Sequence, residues 1–368
     1  MKIIQVVNVR FYNATAWYGL FLSRLLIEAG HDVRVIGLKD TESFRVAQSW
    51  GLPITAMDLN TQTPWGLFRL FRDLKKLVRT FSPDIVNCHR GEGFILWGIL
   101  RKTQGSFRLV RTRGDQRLPK TNTVNRLLHA KIADAIISTN SRMTRHFQET
   151  FGLKADRLFQ VLGGVDRTKF RFDAVGRDRV RRELGYTDTD SVVGLLGRFD
   201  LVKGQKETIE AVAEICRRPQ CRHLRLMLLG FETDTSEAQV RQWINDNDIQ
   251  AITHITGKRK DITACISALD LGIVSSLWSE TIARAALEIM SCEIPLIGTT
   301  VGVMPDLLEP EALIPPGDAT ALGERIAAVI TDPALRNNIC AQQHQKMQTL
   351  GDQDFLDQTV AIYAGLIS

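Results

Sequence analysis

The chain has 368 residues, 44% of them hydrophobic and 24% charged, with 47 Lys and Arg against 41 Asp and Glu for a formal charge of +6. That length predicts two domains of roughly 170 residues in a composition ordinary for soluble globular proteins. The modest basic excess suits anionic ligands or an acidic membrane surface and is too small to argue for nucleic acid, and no apolar run approaches the ~18 residues of a membrane span.

In chain order, Lys2 to Val9 reads as a buried strand, Ala16 to Ala29 as the helix behind it and Asp32 to Leu38 as a second strand. Parallel neighbours need such a crossover helix, so the opening is that of a doubly wound α/β domain. Asn13 and Thr15 lie in the first strand-to-helix loop and can offer side-chain hydrogen bonds there. Residues 65 to 80 have helical spacing, with Trp65, Phe68, Phe71, Leu74 and Val78 toward one side and Arg69, Arg72, Lys75, Lys76 and Arg79 toward the other. A helix of this kind covers a sheet with its apolar side, and its basic side can also dock on anionic lipid.

Asp84 to His89 and Arg108 to Arg113 read as further strands, so His89 and the Gly114-Asp115 turn fall at C-terminal strand edges, where open α/β sheets bind ligands. Basic residues recur from Arg101 to Lys131 and include Arg113; fixed arginines of this kind suit an acceptor carrying phosphate or carboxylate. Ala135 to Thr139 and Arg157 to Leu162 close the first domain, and Gly163-Gly164-Val165-Asp166 makes a passage to the second. The charged run Arg177 to Glu183 predicts a short helix there.

Strands at 191 to 197, 224 to 230, 252 to 257 and 271 to 274 then alternate with helices at 204 to 217, 236 to 246 and 261 to 268. Next come a polar break from Ser275 to Ser279, a helix-period segment from Thr281 to Met290 and a strand opening at Pro295. On that reading Glu280 closes the loop and Glu288 lies about two turns inside the helix, ~12 Å away, further than the ~5 to 9.5 Å of an acid and base pair. Both can face one elongated ligand whose phosphate meets the helix N-terminus. The last segment, Asp354 to Leu366, is helical in spacing.

Three segments carry a resemblance. Glu280, seven residues, then Glu288 is similar to the E-x7-E signature of the retaining glycosyltransferases of family 4. Gly197-Arg198-Phe199-Asp200-Leu201-Val202-Lys203-Gly204 is similar to that family's G-R-x4-K-G segment, and Val301 to Asp306 with Ile314 to Asp318 resembles its closing segment. The resemblance implies the GT-B fold, an α/β architecture of two Rossmann-like doubly wound domains facing a central cleft. Its boundaries here are 1–168 for an acceptor-side domain, 169–350 for a nucleotide-sugar-binding domain and 351–368 for a helix crossing back.

The resemblance also implies roles. Arg198 and Lys203 hold the donor diphosphate, Glu280 the sugar and phosphate end, Glu288 the ribose, and Thr281, Ile282, Ala283, Lys258 and Arg259 further parts of the donor. Asp115 leads the groups of the acceptor side, with Asn13, Thr15, His89 and Arg113 around it. Neither a cofactor nor a metal is called for. The chain departs from the family pattern at the first loop, which lacks paired glycines, at Gly114, where a histidine is usual, and at Thr281-Ile282-Ala283, where Gly-Phe-Gly is usual.

Other classes find less support. No G-x-G-x-x-G follows a strand, as a dehydrogenase needs, and Asp188-Thr189-Asp190 precedes a strand where a metal-binding Asp-x-Asp follows one. A nucleotide-sugar epimerase of the same fold is the nearest alternative, and a binding module without catalysis a third. The six cysteines show no metal-like spacing and read as free thiols in a reducing compartment; with too short an apolar run at the start for a signal peptide, the expected location is the cytoplasm.

Overall fold

Seven short apolar runs of the first half pair into one wholly parallel sheet: β1 (Lys2–Val7), β2 (Asp32–Gly37), β3 (Ile54–Ala56), β4 (Ile85–Cys88), β5 (Arg108–Arg113), β6 (Ala135–Ser138) and β7 (Leu158–Gln160). Helices cover both faces of such a sheet, so its central strands are buried, and in β1 only Lys2 is exposed; the edge strand β3 has no buried residue. The order is β3-β2-β1-β4-β5-β6-β7, and the direction of winding reverses between β1 and β4.

Six further runs form a second parallel sheet: β8 (Ser191–Leu196), β9 (Leu224–Leu229), β10 (Thr253–Ile255), β11 (Leu271–Val274), β12 (Leu296–Thr299) and β13 (Leu313–Ile314). Here the order is β10-β9-β8-β11-β12-β13, with the reversal between β8 and β11. The computed structural model describes all residues 1–368 and separates them into one unit of Met1–Gly163 with Asp352–Ser368 and another of Gly164–Gly351.

The closing helix, Asp352–Ile367, is part of the first unit. Phe355 meets Tyr18 edge to face at 4.6 Å. The Tyr363 hydroxyl accepts from Asn87 Nδ2 at 2.7 Å and Gln5 Nε2 at 3.3 Å, beside the switch between β1 and β4. Buried polar side chains are tolerable when they satisfy one another, and this group does.

The helix Pro64–Phe81 corrects the expected apolar face. Its buried residues are Leu70, Leu74, Val78 and Phe81, whereas Trp65 is 73% and Phe68 59% exposed, their rings stacked with centroids 5.6 Å apart. The stripe inherited from the core runs along the later turns only, because the first turns extend past it. No helix of the chain is long and apolar enough to cross a membrane, and all six cysteines are free.

Candidate active site

The loops after β8 and β11 meet where the second sheet reverses, the place at which open α/β sheets take ligands. After β8 the chain turns through Gly197 to Gly204. Asp200 organises that turn: one carboxylate oxygen accepts from the Val202 amide at 3.1 Å and the other from the Arg198 guanidinium at 2.6 Å. The remaining buried donor of that guanidinium, Nε, has no acceptor within the protein. Gly204 has φ +72°, and a Cβ there would lie 2.2 Å from the Ser275 carbonyl oxygen. Only glycine lets the two loops touch this closely. Ser275 Oγ lies 3.0 and 3.1 Å from the carbonyl oxygens of Lys203 and Gly204 and 2.8 Å from Thr208 Oγ1, tying the end of β11 to the helix Gln205–Ile215.

Two donors converge on Glu280. Lys203 Nζ and Ser276 Oγ each lie 2.6 Å from its Oε2, and the residue is buried. Its backbone carbonyl accepts from the Val303 amide at 2.8 Å. Gly302, at φ +62°, lies so close that a Cβ would come within 1.8 Å of that same oxygen. The Val301-Gly302-Val303 segment therefore positions Glu280 from behind.

Glu280 lies in the loop as expected, but the helix starts three residues later than the expected Thr281. The helix runs Arg284–Ser291, and Ala283 just before it is left-handed at φ +52°, ψ +47°. An alanine in that region cannot continue a right-handed helix, and it costs roughly 1–2 kcal/mol where glycine costs almost nothing. Thr281 and Ile282 therefore belong to the loop, with Ile282 and Ala283 fully buried. Glu288 is buried one turn into the helix, and its Oε1 accepts from Arg284 Nε at 2.6 Å. That pair has the i,i+4 spacing that brings helical side chains together.

Lys258 and Arg259 follow β10 in the same unit. The Lys258 ammonium sits 4.2 Å from the Phe231 ring centroid, and Arg259 forks onto Glu183 at 2.6 and 2.9 Å and onto Asp261 at 2.9 and 3.0 Å. Asp190 of the Asp188-Thr189-Asp190 turn pairs with Arg225 at 2.9 Å and accepts from the Thr187 amide at 2.7 Å, as a turn ahead of β8 requires.

In the first unit Asn13 caps the helix Ala14–Glu28, its side chain accepting from the Ala16 amide at 3.1 Å. Thr15 Oγ1 donates to the Gly114 carbonyl at 3.1 Å, so the loop after β1 is tied to the turn after β5. His89 is wholly buried, with Nε2 2.7 Å from Gln5 Oε1, and burial together with the nearby Arg111 charge lowers its pKa to about 3. A neutral, enclosed imidazole of this kind positions its neighbours, and none of its surface is open to solvent. Asp115 is approached by three guanidiniums, those of Arg90 at 3.5 Å, Arg111 at 3.5 Å and Arg113 at 3.4 Å.

Several of these partners carry little signal in sequence. Ser276 and Asp200 flank the motif residues and could have been named from the polar break after β11 and from the G-R-x4-K-G segment. Arg284 could have been named from its spacing to Glu288. Arg90 becomes a partner of Asp115 only through the pairing of β4 with β5.

Residues 17–169 match the model of Glycosyltransferase Family 4, and residues 176–346 that of Glycosyl transferases group 1. The "Putative glycosyltransferase EpsD" of Bacillus subtilis is 23% identical over 356 residues, 92% of this chain and 90% of that protein. The D-inositol 3-phosphate glycosyltransferase of Nocardia farcinica is 25% identical over 175 residues, 46% of this chain and 38% of its own length, so the match spans well under half of that relative. Among solved structures, Anabaena HepE in complex with UDP and glucose superposes with a TM-score of 0.82 at 18% identity, covering 99% of each chain. A glycosyltransferase from Rickettsia africae gives 0.87 at 15% identity, covering 100% of this chain and 98% of its own.

Proposed function

The chain is a glycosyltransferase of the family 4 type with the GT-B fold, and on that premise we propose that it moves a sugar from a nucleotide-sugar donor, with retention and without a metal, to a saccharide or lipid-linked acceptor of the cell envelope. One observation carries the reading: Arg198, Lys203 and Glu280 are gathered at the reversal of the second sheet, with Glu288 on the helix that follows.

In this reading the donor's diphosphate lies against Arg198 and Lys203. Negative charge grows on the leaving phosphate as the glycosidic bond breaks, and cations fixed at that place lower the barrier because they need no rearrangement during the reaction. Glu280 holds the Lys203 ammonium and the donor's sugar end, and Glu288 accepts from the ribose hydroxyls. UDP and glucose in the HepE structure support a nucleotide-sugar donor of this general kind. The acceptor side is the first unit, where Asn13, Thr15, Arg113 and Asp115 line the C-terminal strand edges.

We further propose that the enzyme works at the inner face of an acidic membrane, touching it with the helix Pro64–Phe81. Its exposed Trp65 and Phe68 offer aromatic rings to the interface, and the exposed Arg69, Arg72, Lys76 and Arg79 offer charge to anionic headgroups.

The deciding experiment is release of nucleoside diphosphate from a panel of nucleotide sugars with and without envelope saccharides. Acceptor-dependent release supports transfer. Interconversion of the donor sugar with no release would favour the epimerase.

A further inference from the structure

We propose that Arg90, Arg111 and Arg113 form a site for a phosphate or carboxylate group on the acceptor; the assignment to an acceptor rests on the transferase reading above. β4 and β5 are parallel neighbours, with Cys88 paired to Arg111. Arg90 leaves the end of β4, while Arg111 and Arg113, two residues apart on β5, project from the same face of the sheet. All three guanidiniums therefore arrive at one C-terminal edge, and Asp115 lies among them.

The charges there do not balance. Three cations face two carboxylates, and Glu92 is engaged by Arg90 at 3.0 Å. Asp115 is shared at 3.5, 3.5 and 3.4 Å, each contact longer than the ~2.7–2.9 Å of a strong charge-assisted hydrogen bond. One carboxylate spread over three guanidiniums holds them in place without neutralising them.

Burial makes this imbalance costly. Arg111 is 1% exposed, donates to the carbonyl oxygens of Cys88 at 2.7 Å and Thr112 at 2.6 Å, and has its pKa lowered to about 9 by burial and by the Arg113 charge. Burial lowers the Arg113 pKa as well, and its buried Nε has no acceptor within the protein. Arg90 and Asp115 keep partial contact with solvent, so a ligand group can reach the cluster. A second anion supplies the missing charge, which a neutral hydroxyl does not. Guanidinium forks match the oxygen spacing of phosphate and carboxylate, which names the ligand class.

The test uses the full chain saturated with UDP, so that the donor site is filled, and follows thermal unfolding while glucose 6-phosphate, glucuronate or glucose is added. A ligand that binds only the folded form raises the melting temperature. The proposal expects a concentration-dependent rise with glucose 6-phosphate or glucuronate and none with glucose. Arg90→Gln and Arg113→Gln each weaken that response at least tenfold in apparent affinity and keep the UDP-induced rise, which also reports that they fold. If UDP stabilises the protein and both anionic sugars act no differently from glucose, or if both variants respond as the wild type does, the site is wrong. If none of UDP, GDP and ADP gives a rise while the anionic sugars do, the donor reading fails and the anion site stands.

Discussion

Lys203 and Glu280, separated by 77 positions in the sequence, meet with Nζ 2.6 Å from Oε2, so the ammonium proposed above to face the donor phosphate is held by a buried carboxylate from the neighbouring loop. The pair fixes the cation in advance of the donor. Lys203→Ala should therefore lower kcat/KM by about 10²–10³-fold, the usual cost of removing one fixed charge-stabilising donor. Glu280→Gln should lose activity too, since it releases the lysine while keeping the side chain's shape. Steady-state kinetics at saturating acceptor check both, and a Lys203→Ala enzyme within twofold of wild type is incompatible with the assignment.

Glu288 should act on donor binding. Loss of a hydrogen bond to a charged group costs about 1.5–3 kcal/mol, so Glu288→Gln should raise the donor KM by about 10–100-fold, with a smaller change in kcat. A 2′-deoxyribose donor should narrow the difference between wild type and variant, because the partner hydroxyl is then missing from both. An undiminished difference would place the carboxylate elsewhere.

Ala283 provides a test of the corrected helix start. Its left-handed backbone costs roughly 1–2 kcal/mol that glycine avoids, offset in part by the greater freedom glycine has when unfolded, so Ala283→Gly should stabilise the protein by up to ~1 kcal/mol. Chemical denaturation measures this. A loss of stability would mean that the alanine side chain's packing outweighs the strain.

The buried histidines set a pH dependence. Burial lowers His89 to about 3 and His129 to about 4 from the ordinary 6.5, so both stay neutral in the fold where the unfolded chain takes up protons. Their contribution is fully present above pH ~6.5 and is lost as pH falls toward 4, at up to ~1.4 kcal/mol per pH unit for each. His129 packs on Phe94, Phe147 and Phe151, so His129→Phe keeps an aromatic ring there. Between pH 7 and 5 the melting temperature of that variant should fall less steeply than that of the wild type; parallel slopes would contradict the assignment.

Membrane docking predicts that the full chain co-sediments with vesicles rich in phosphatidylglycerol and not with phosphatidylcholine alone. Each basic residue at such a surface contributes ~1 kcal/mol, so changing Arg69, Arg72, Lys76 and Arg79 to Glu should abolish binding, and Trp65→Ser with Phe68→Ser should weaken it severalfold. Equal sedimentation of all three proteins would sink the idea.

Most strands were legible in sequence because buried parallel strands read as unbroken apolar runs, and Leu271–Val274 needs nothing else to be recognised, whereas the largely exposed edge strand Ile54–Ala56 and the two-residue Leu313–Ile314 carry no such run and were missed. The residues proposed for the donor side were nameable as candidates because they sit in short local motifs at strand ends. What sequence could not reveal is set by distant contacts. The late start of the helix at Arg284 follows from Gly302 and Val303 gripping the Glu280 carbonyl. The exposure of Trp65 and Phe68 depends on where the underlying core ends, which periodicity alone does not mark. The arrival of Arg90 beside Arg111, Arg113 and Asp115 follows from the pairing of β4 with β5. His89 stood at the right edge in sequence, but its enclosure by Gln5 is a property of the packed sheet.

The most direct measurement of the central claim is calorimetric titration of the protein with UDP, GDP and ADP, repeated with Arg198→Ala and Lys203→Ala and with the matching free nucleosides. The account predicts that at least one diphosphate binds, that each variant weakens it by at least tenfold, and that the nucleoside binds far more weakly and equally to all three proteins. Diphosphate affinity unchanged in both variants would contradict it.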